Sequence, residues 1–187
     1  MFIPTAWPVL RSVLSVMLIA GAASAAMADL LYHAVQVSRY PDVWADVCDV
    51  NDQTQMAGEL VWEQSPARWT PQGGWQTIAN LPAPAPKGEA FGLNENGHVV
   101  GWSFSPIVPG NEAILWTPQS GTVSLGALKL QPWPSAGAYD INDMDQVVGV
   151  SNSSNSAQEA FLWDPSVSAM VGLGDLPGGN FSSTARG

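Results

Sequence analysis

From about residue 45 onward, apolar and polar residues alternate in short runs, each closed by Gly, Pro, Asn or Asp. Alternation with a period of two marks a strand with one buried face, and turn residues this frequent leave little room for a helix. Residues 138–142, AYDIN, put Tyr139 and Ile141 on one face. A turn follows at Asp143-Met144-Asp145, and QVVGVS returns as a second strand. Residues 90–101, AFGLNENGHVVG, repeat this hairpin with a turn ending in Asn96-Gly97, a strong hairpin signal. Residues 47–58, VCDVNDQTQMAG, repeat it less well, because Thr54 sits where a residue tolerant of left-handed backbone is expected.

The three copies are in register. Asn51, Asn94 and Asn142 open the turns, and each lies seven residues before a glycine: Gly58, Gly101 or Gly149. The Asn side chain is suited to closing an Asx turn on the backbone two residues on. The Gly relieves the returning strand where a side chain would crowd its neighbour. A third strand then reads PARW at 66–69, EAILW at 112–116 and EAFLW at 159–163. Its final residues, Trp69, Trp116 and Trp163, are 47 apart, and each is followed by Thr or Asp and then Pro, which stops the ladder. A fourth strand follows in WQTIANL, TVSLGAL and AMVGLGDL.

Four short strands in a unit of about 47 residues is the arithmetic of a propeller blade or a similar meander. The expected fold is all-β: tandem four-stranded antiparallel units, propeller-like and incomplete. The repeats fall near 45–89, 90–137 and 138–187, within a β-repeat domain at 29–187. YHAVQV at 32–37 reads as a fourth strand without its unit, and Ala185 falls in register with Ala90 and Ala138, so a further copy begins near the end. Two arrangements fit: a piece of a longer array, or a last unit closed by the N-terminal strand. The in-register tryptophans are expected in the core, with Trp116 the most sensitive to truncation and Trp69, in the most degenerate copy, the least.

The first residues follow a different pattern. Arg11 precedes an uncharged apolar run, which turns to small residues at Ala23-Ser24-Ala25 and Ala26-Met27-Ala28. This is the grammar of a cleaved secretory signal over 1–28, and Ser12 to Ala28 is short for a bilayer span. Cleavage after Ala28 or Ala25 predicts a secreted or periplasmic protein without membrane insertion. Removing Arg11 moves the formal net charge from −10 to about −11. So acidic a chain does not suit nucleic acid or anionic lipid, both of which need clustered cations. Cys48 is the single cysteine, so no intrachain disulfide forms, and its setting predicts a buried strand residue.

Candidate chemistry is thin. A hydrolase needs a base beside its nucleophile, yet His33 and His98 stand at unrepeated positions, and His98 reads as an exposed strand residue. No cluster has zinc spacing, and nothing selects a catalytic pair from Asp140, Asp143 and Asp145. No catalytic residue is assigned and no enzyme is expected. Asp140, Asn142, Asp143 and Asp145 do crowd oxygen ligands into six residues, the chemistry calcium favours, but Asn and Asp are also what bare turns need. Calcium is therefore the one cofactor considered. Trp44, Trp62, Trp75, Trp102 and Trp133 share no repeat position and are the candidate binding residues, since exposed indoles stack on sugars or partner proteins.

At EAFLW, LGDLPGG and INDMDQVVG the chain resembles the HAF-repeat family, probable extracellular bacterial repeats. Those repeats pair an Ile-Asn-x-x-Gly-Gln-Val-Val-Gly turn with Leu-Gly-x-Leu-Gly-Gly, matched here by Ile141 to Gly149 and Leu173 to Gly179. The resemblance covers about 45–187. Glu159, Glu112 and Pro66 replace the family's His, and Asp145 and Thr54 its Gly. It implies a secreted β-repeat array and carries no catalytic residues. The expected function is a non-enzymatic, secreted β-repeat protein with a structural or surface-interaction role. The alternatives are a Trp-mediated carbohydrate-binding module and a calcium-binding extracellular repeat, so an extracellular glycan or protein is the expected partner.

Overall fold

The computed structural model describes residues 36–37, 44–83, 86–104, 110–129, 132–153, 158–174 and 182–187. The expected signal segment, residues 32–35 of the expected N-terminal strand, and residues 175–179 of the Leu-Gly-Asp-Leu-Pro-Gly-Gly stretch lie outside them. No described residue is helical, and no helix among them is long and apolar enough to cross a membrane.

Residues Ala45–Gly187 form one body, and its described residues make twelve strands in three open four-stranded antiparallel sheets. The first holds β1 (Ala45–Val50), β2 (Met56–Leu60), β3 (Ser65–Thr70) and β4 (Gly74–Thr77). The second holds β5 (Gly88–Leu93), β6 (Val99–Phe104), β7 (Asn111–Thr117) and β8 (Gly121–Gly126). The third holds β9 (Ala136–Ile141), β10 (Val147–Asn152), β11 (Gln158–Asp164) and β12 (Ala169–Gly172). Strand order in each sheet follows the chain, so every unit is a simple meander.

The two punctuating residues act as their chemistry dictates. Asn51 Oδ1 accepts the N–H groups of Gln53 and Gln55, and Asn142 Oδ1 accepts those of Met144 and Gln146. The third residue past each Asn holds left-handed backbone: Thr54 at φ 63°, Gly97 at 71° and Asp145 at 60°. Thr54 thus adopts the conformation its side chain disfavours, because the turn's hydrogen bonds hold it there. A Cβ at Gly58, Gly101 or Gly149 would run into the carbonyl oxygen of Asp46, Glu89 or Gly137 on the neighbouring strand. At that point each first strand carries a β-bulge, and the extra residues are Cys48, Phe91 and Tyr139. Phe91 and Tyr139 pack across units as a tilted pair with ring centroids 5.2 Å apart.

The Thr or Asp after each in-register Trp closes the next turn. Thr70 Oγ1 accepts Gly73 N–H, Thr117 Oγ1 accepts Ser120 N–H and Asp164 Oδ1 accepts Ser166 N–H. The Ser166 and Gln146 hydrogen bonds hold the Asp164 carboxyl below its ordinary value. The fourth strands are shorter than the apolar runs suggested. At Ile78 and Leu173 the ladder is reduced to single bonds, to the Pro66 and Ala160 carbonyls. Strand register matches Pro66 to Ala160, not to Glu159 as its place before the Trp suggested, because Pro66 pairs with Glu59 as Ala160 pairs with Val150. The N–H of Ala160 bonds the Ser183 hydroxyl rather than a sheet partner, so a proline loses nothing at that position.

The sheets bury their faces against one another. β5 lies against β1, β2 and β3, and β9 against β5, β6 and β7. Ala57 and Ile78 meet Ala90, Leu93, Val99 and Trp116 at the first junction. Val100, Ala113, Leu115 and Leu125 meet Ala138, Ile141, Val147 and Phe161 at the second. Equivalent positions at the two ends are open: Val47 and Val50 are exposed where Ala138 and Ile141 are buried, and Leu173 is exposed where Ile78 and Leu125 are buried. Burial therefore comes from the neighbouring unit, the logic of repeat proteins. The in-register tryptophans do not follow the sequence ranking. Trp69 and Trp116 are both buried, while Trp163 is only half-buried.

Candidate functional site: two opposite edges

The meander gives the molecule two edges. One carries the Asn turns and the turns after the in-register tryptophans; the other carries the β2–β3 hairpin, the end of β6, the start of β7 and the described residues of the linkers between units.

The Asn edge is a hydrogen-bonded ladder between units. Asn51 Nδ2 donates to the Asn94 carbonyl, and Asn94 Nδ2 donates to the Asn142 carbonyl, each at 3.0 Å. Beside these bonds, Glu95 Oε1 accepts Asp52 N–H at 2.9 Å and Asp143 Oδ1 accepts Glu95 N–H at 3.0 Å. Gln53 Nε2 donates to the Glu95 carbonyl and Asn96 Nδ2 to the Asp143 carbonyl. Asp49 Oδ2 accepts Leu93 N–H. The Asn is thus both turn-former and clasp.

The residues considered for calcium sit in this ladder. Asp145 Oδ1 accepts from Asn94 Nδ2 at 2.8 Å and lies 2.7 Å from His98 Nδ1. Asn142 Oδ1 and Asp143 Oδ1 receive backbone N–H groups. The Oδ1 atoms of Asn142, Asp143 and Asp145 are thus already engaged in the ladder. Asp140, on β9, is half-buried. Among the described residues, no three His, Cys, Asp or Glu side chains gather into a group that could hold a metal. His98 is not an exposed strand residue as its slot suggested. It is half-buried beyond the turn, because Asp145 of the next unit reaches back to it.

Cys48 also departs from expectation: it lies on β1 but is exposed, as are Val47 and Val50 on the same strand. Its thiol is pushed up to about 11, first by desolvation and then by the negative field of Glu89, Asp46, Glu59 and Asp49. Surface area leaves the residue open, so the desolvation is crowding by the strand rather than enclosure. A thiol held protonated at neutral pH is a poor nucleophile.

The opposite edge collects aromatic rings. Trp62, in the β2–β3 hairpin, is 68% exposed, and Trp133, in the linker before β9, is 59% exposed. Between them lie Trp102 and Phe104 near the end of β6, both half-buried, with ring centroids 5.7 Å apart. Backbone bonds join these segments into one edge. Gly88 N–H bonds the Gln64 carbonyl, Phe104 N–H the Lys87 carbonyl, and Asn111 N–H the Pro134 carbonyl next to Trp133. Asn152 fixes the far end, donating Nδ2 to the Trp133 carbonyl and accepting Ser135 N–H. Buried Ser103 and Ser151 anchor the linkers, their hydroxyls accepting Leu81 and Leu128 N–H.

Of the five tryptophans singled out in the sequence, three therefore share this edge. Trp75 does not: it pairs with Trp69 on β4, near the other edge, and is half-buried. Trp44 is exposed and lies just before β1, outside the Ala45–Gly187 body. Phe104 was not singled out, and its two-residue spacing from Trp102 on one strand face was the available signal. Charges here are mixed: Lys87 and Lys129 against Asp46, Glu59, Glu63 and Glu89. Glu59 is held above its ordinary range by burial first, then by Glu89 and Asp46.

No known protein family, curated protein or solved structure matches this chain.

Proposed function

We propose that this chain is an exported, non-enzymatic β-repeat protein with a surface-interaction role, and that the aromatic edge is its contact surface. One observation carries the reading. Exposed Trp62 and Trp133 project from one edge, with the Trp102–Phe104 pair between them, while the polar side chains suited to chemistry are engaged at the other. A reactive site needs a base free to move a proton; an adhesive edge needs flat apolar area held on a rigid frame. The hydrogen-bonded ladder supplies the frame.

The finer architecture belongs to the same proposal. Sheets that each pack an inner strand on the preceding unit suit a radial, propeller-like set of blades. The HAF-repeat resemblance and the leader-like residues 1–28 support export to the periplasm or medium. Co-sedimentation of the exported protein with insoluble cell-envelope material tests the role. The parent is expected to pellet with that material, and the Trp62→Ala/Trp133→Ala double variant to stay in solution. Equal retention of the two proteins, with unchanged folding, would remove the aromatic edge from the reading.

A further inference from the structure

We infer that copies of this chain join head to tail, the first sheet of one stacking on the third sheet of another in the register that joins units within a chain. The inference rests on the unit junctions and not on the aromatic edge.

The two outer faces carry the two halves of one junction. Strand register makes Val47 and Val50 the counterparts of Ala90 and Leu93, and of Ala138 and Ile141. The later pairs are buried, each packed on the unit before it, whereas Val47 is 39% and Val50 44% exposed. On the third sheet the pattern is reversed. Val148 pairs with Leu162 as Val100 pairs with Leu115, and Leu173 bonds the Ala160 carbonyl as Ile78 bonds that of Pro66. Val100, Leu115 and Ile78 are buried against the unit that follows, while Val148 and Leu162 are half-buried and Leu173 is 55% exposed. A repeat whose outer face stays in water is capped by polar residues. These two faces keep the apolar residues of a junction instead.

Register selects a second copy as the occupant. Stacking of one such sheet on another occurs twice within the chain, where β5 lies against β1, β2 and β3 and β9 against β5, β6 and β7. The polar groups match as well. Asn51 Nδ2 donates to Gln55 in its own turn and to the Asn94 carbonyl of the next unit. Asn142 Nδ2 makes the first of these bonds, to Gln146. Head to tail, its other hydrogen meets the Asn51 carbonyl of the second copy. Residues 182–187 mark the path. Ser182 bridges Gln158 in parallel as Ser135 bridges Asn111, and Arg186 lies 4.7 Å over the Tyr139 ring, following Tyr139 as Tyr139 follows Phe91. Ala185 is the one apolar side chain of that segment, and Leu173 stays exposed beside it. The strand Ala45–Val50 of a second copy takes the same path, with Val47 in the place of Ala185, and brings β2 and β3 to cover the rest.

The test is sedimentation velocity of the full chain over a concentration series. Moderate salt screens the repulsion between two copies of formal charge −10. Mass above the monomer, rising with concentration, is expected. Val47→Asp and Leu173→Asp, both at exposed positions, should match the parent by circular dichroism yet stay monomeric where the parent associates. Mixed, they should form a dimer and nothing larger, because each keeps one intact face, the mark of a heterologous joint. Arg186→Ala, which loosens the competing segment, should bring association to lower concentration. A parent that stays monomeric into the millimolar range, association that survives both Asp variants, loss in one variant alone, or a mixture that stays monomeric would each overturn the inference. Weaker association in Arg186→Ala would make segment 182–187 part of the contact and overturn it too.

Discussion

Asn94 donates from Nδ2 to the carbonyl of Asn142, 48 residues away, while its Oδ1 accepts the N–H of His98 within its own turn. One amide thus closes a hairpin with its oxygen and joins two units with its nitrogen.

The two roles separate by isosteric substitution. Asn94→Asp keeps an oxygen for the turn but sets a carboxylate against the Asn142 carbonyl and Asp145, at a buried position. It is expected to cost about 3 kcal/mol. Asn142→Asp, at an exposed position whose described Nδ2 bond is to Gln146 in its own turn, is expected to cost about 1 kcal/mol. Chemical denaturation of both variants checks the order; equal losses would mean that the turn alone matters.

Gly101→Ala drives a methyl into the Glu89 carbonyl where β5 bulges. A loss of about 2–3 kcal/mol is expected, since backbone on both sides must move. Gly137→Ala meets only the Phe91 ring at 3.9 Å, ordinary contact, and is expected to be near neutral. Melting temperatures of the pair decide it.

Trp116 packs at the first junction with Ala57, Ile78, Ala90, Leu93 and Val99, and Arg68 lies over its ring. Trp116→Ala should cost about 3–5 kcal/mol. Trp163 is half-buried, so Trp163→Ala should cost less, about 2 kcal/mol. The same denaturation experiment ranks them, and a reversed order would place the junction's weight in the third unit.

Glu59 gives the pH dependence a sign. Its carboxyl is raised in the folded state, so the native protein holds a proton that the unfolded chain releases first. Stability from this group is present at acid pH and falls as pH rises from the ordinary value of 4.5 through the raised one. Glu59→Gln is expected to flatten that decline and to melt higher than the parent at pH 7. Thermal melts of both proteins from pH 4 to pH 7 check it; parallel curves would clear Glu59 of the effect.

Much of this was legible in the chain, and what was hidden has a common cause. Strands, turns and glycines follow from local sterics, so Asn51, Gly101 and Pro66 announce themselves within a few residues. The ladder did not show, because whether an Asn amide finds a carbonyl 43 or 48 residues away depends on how units stack. Cys48 and His98 were misplaced for the same reason: burial is decided between units, and it leaves Cys48 exposed on β1 while Asp145 of the next unit shelters His98. The grouping of Trp62, Trp102 and Trp133 needed strand direction. Counted along the chain they share no register, whereas hairpins and linkers deliver them to one edge.

The Asn side-chain amides all point one way, each reaching to the carbonyl of the following unit. Any unit of this kind therefore offers its predecessor an acceptor and its successor a donor, whatever its place in the row. A gene that gains or loses one such segment by unequal recombination still sets an amide against a carbonyl at the new joint. Array length can then drift between lineages without any side chain at the joints having to be reinvented.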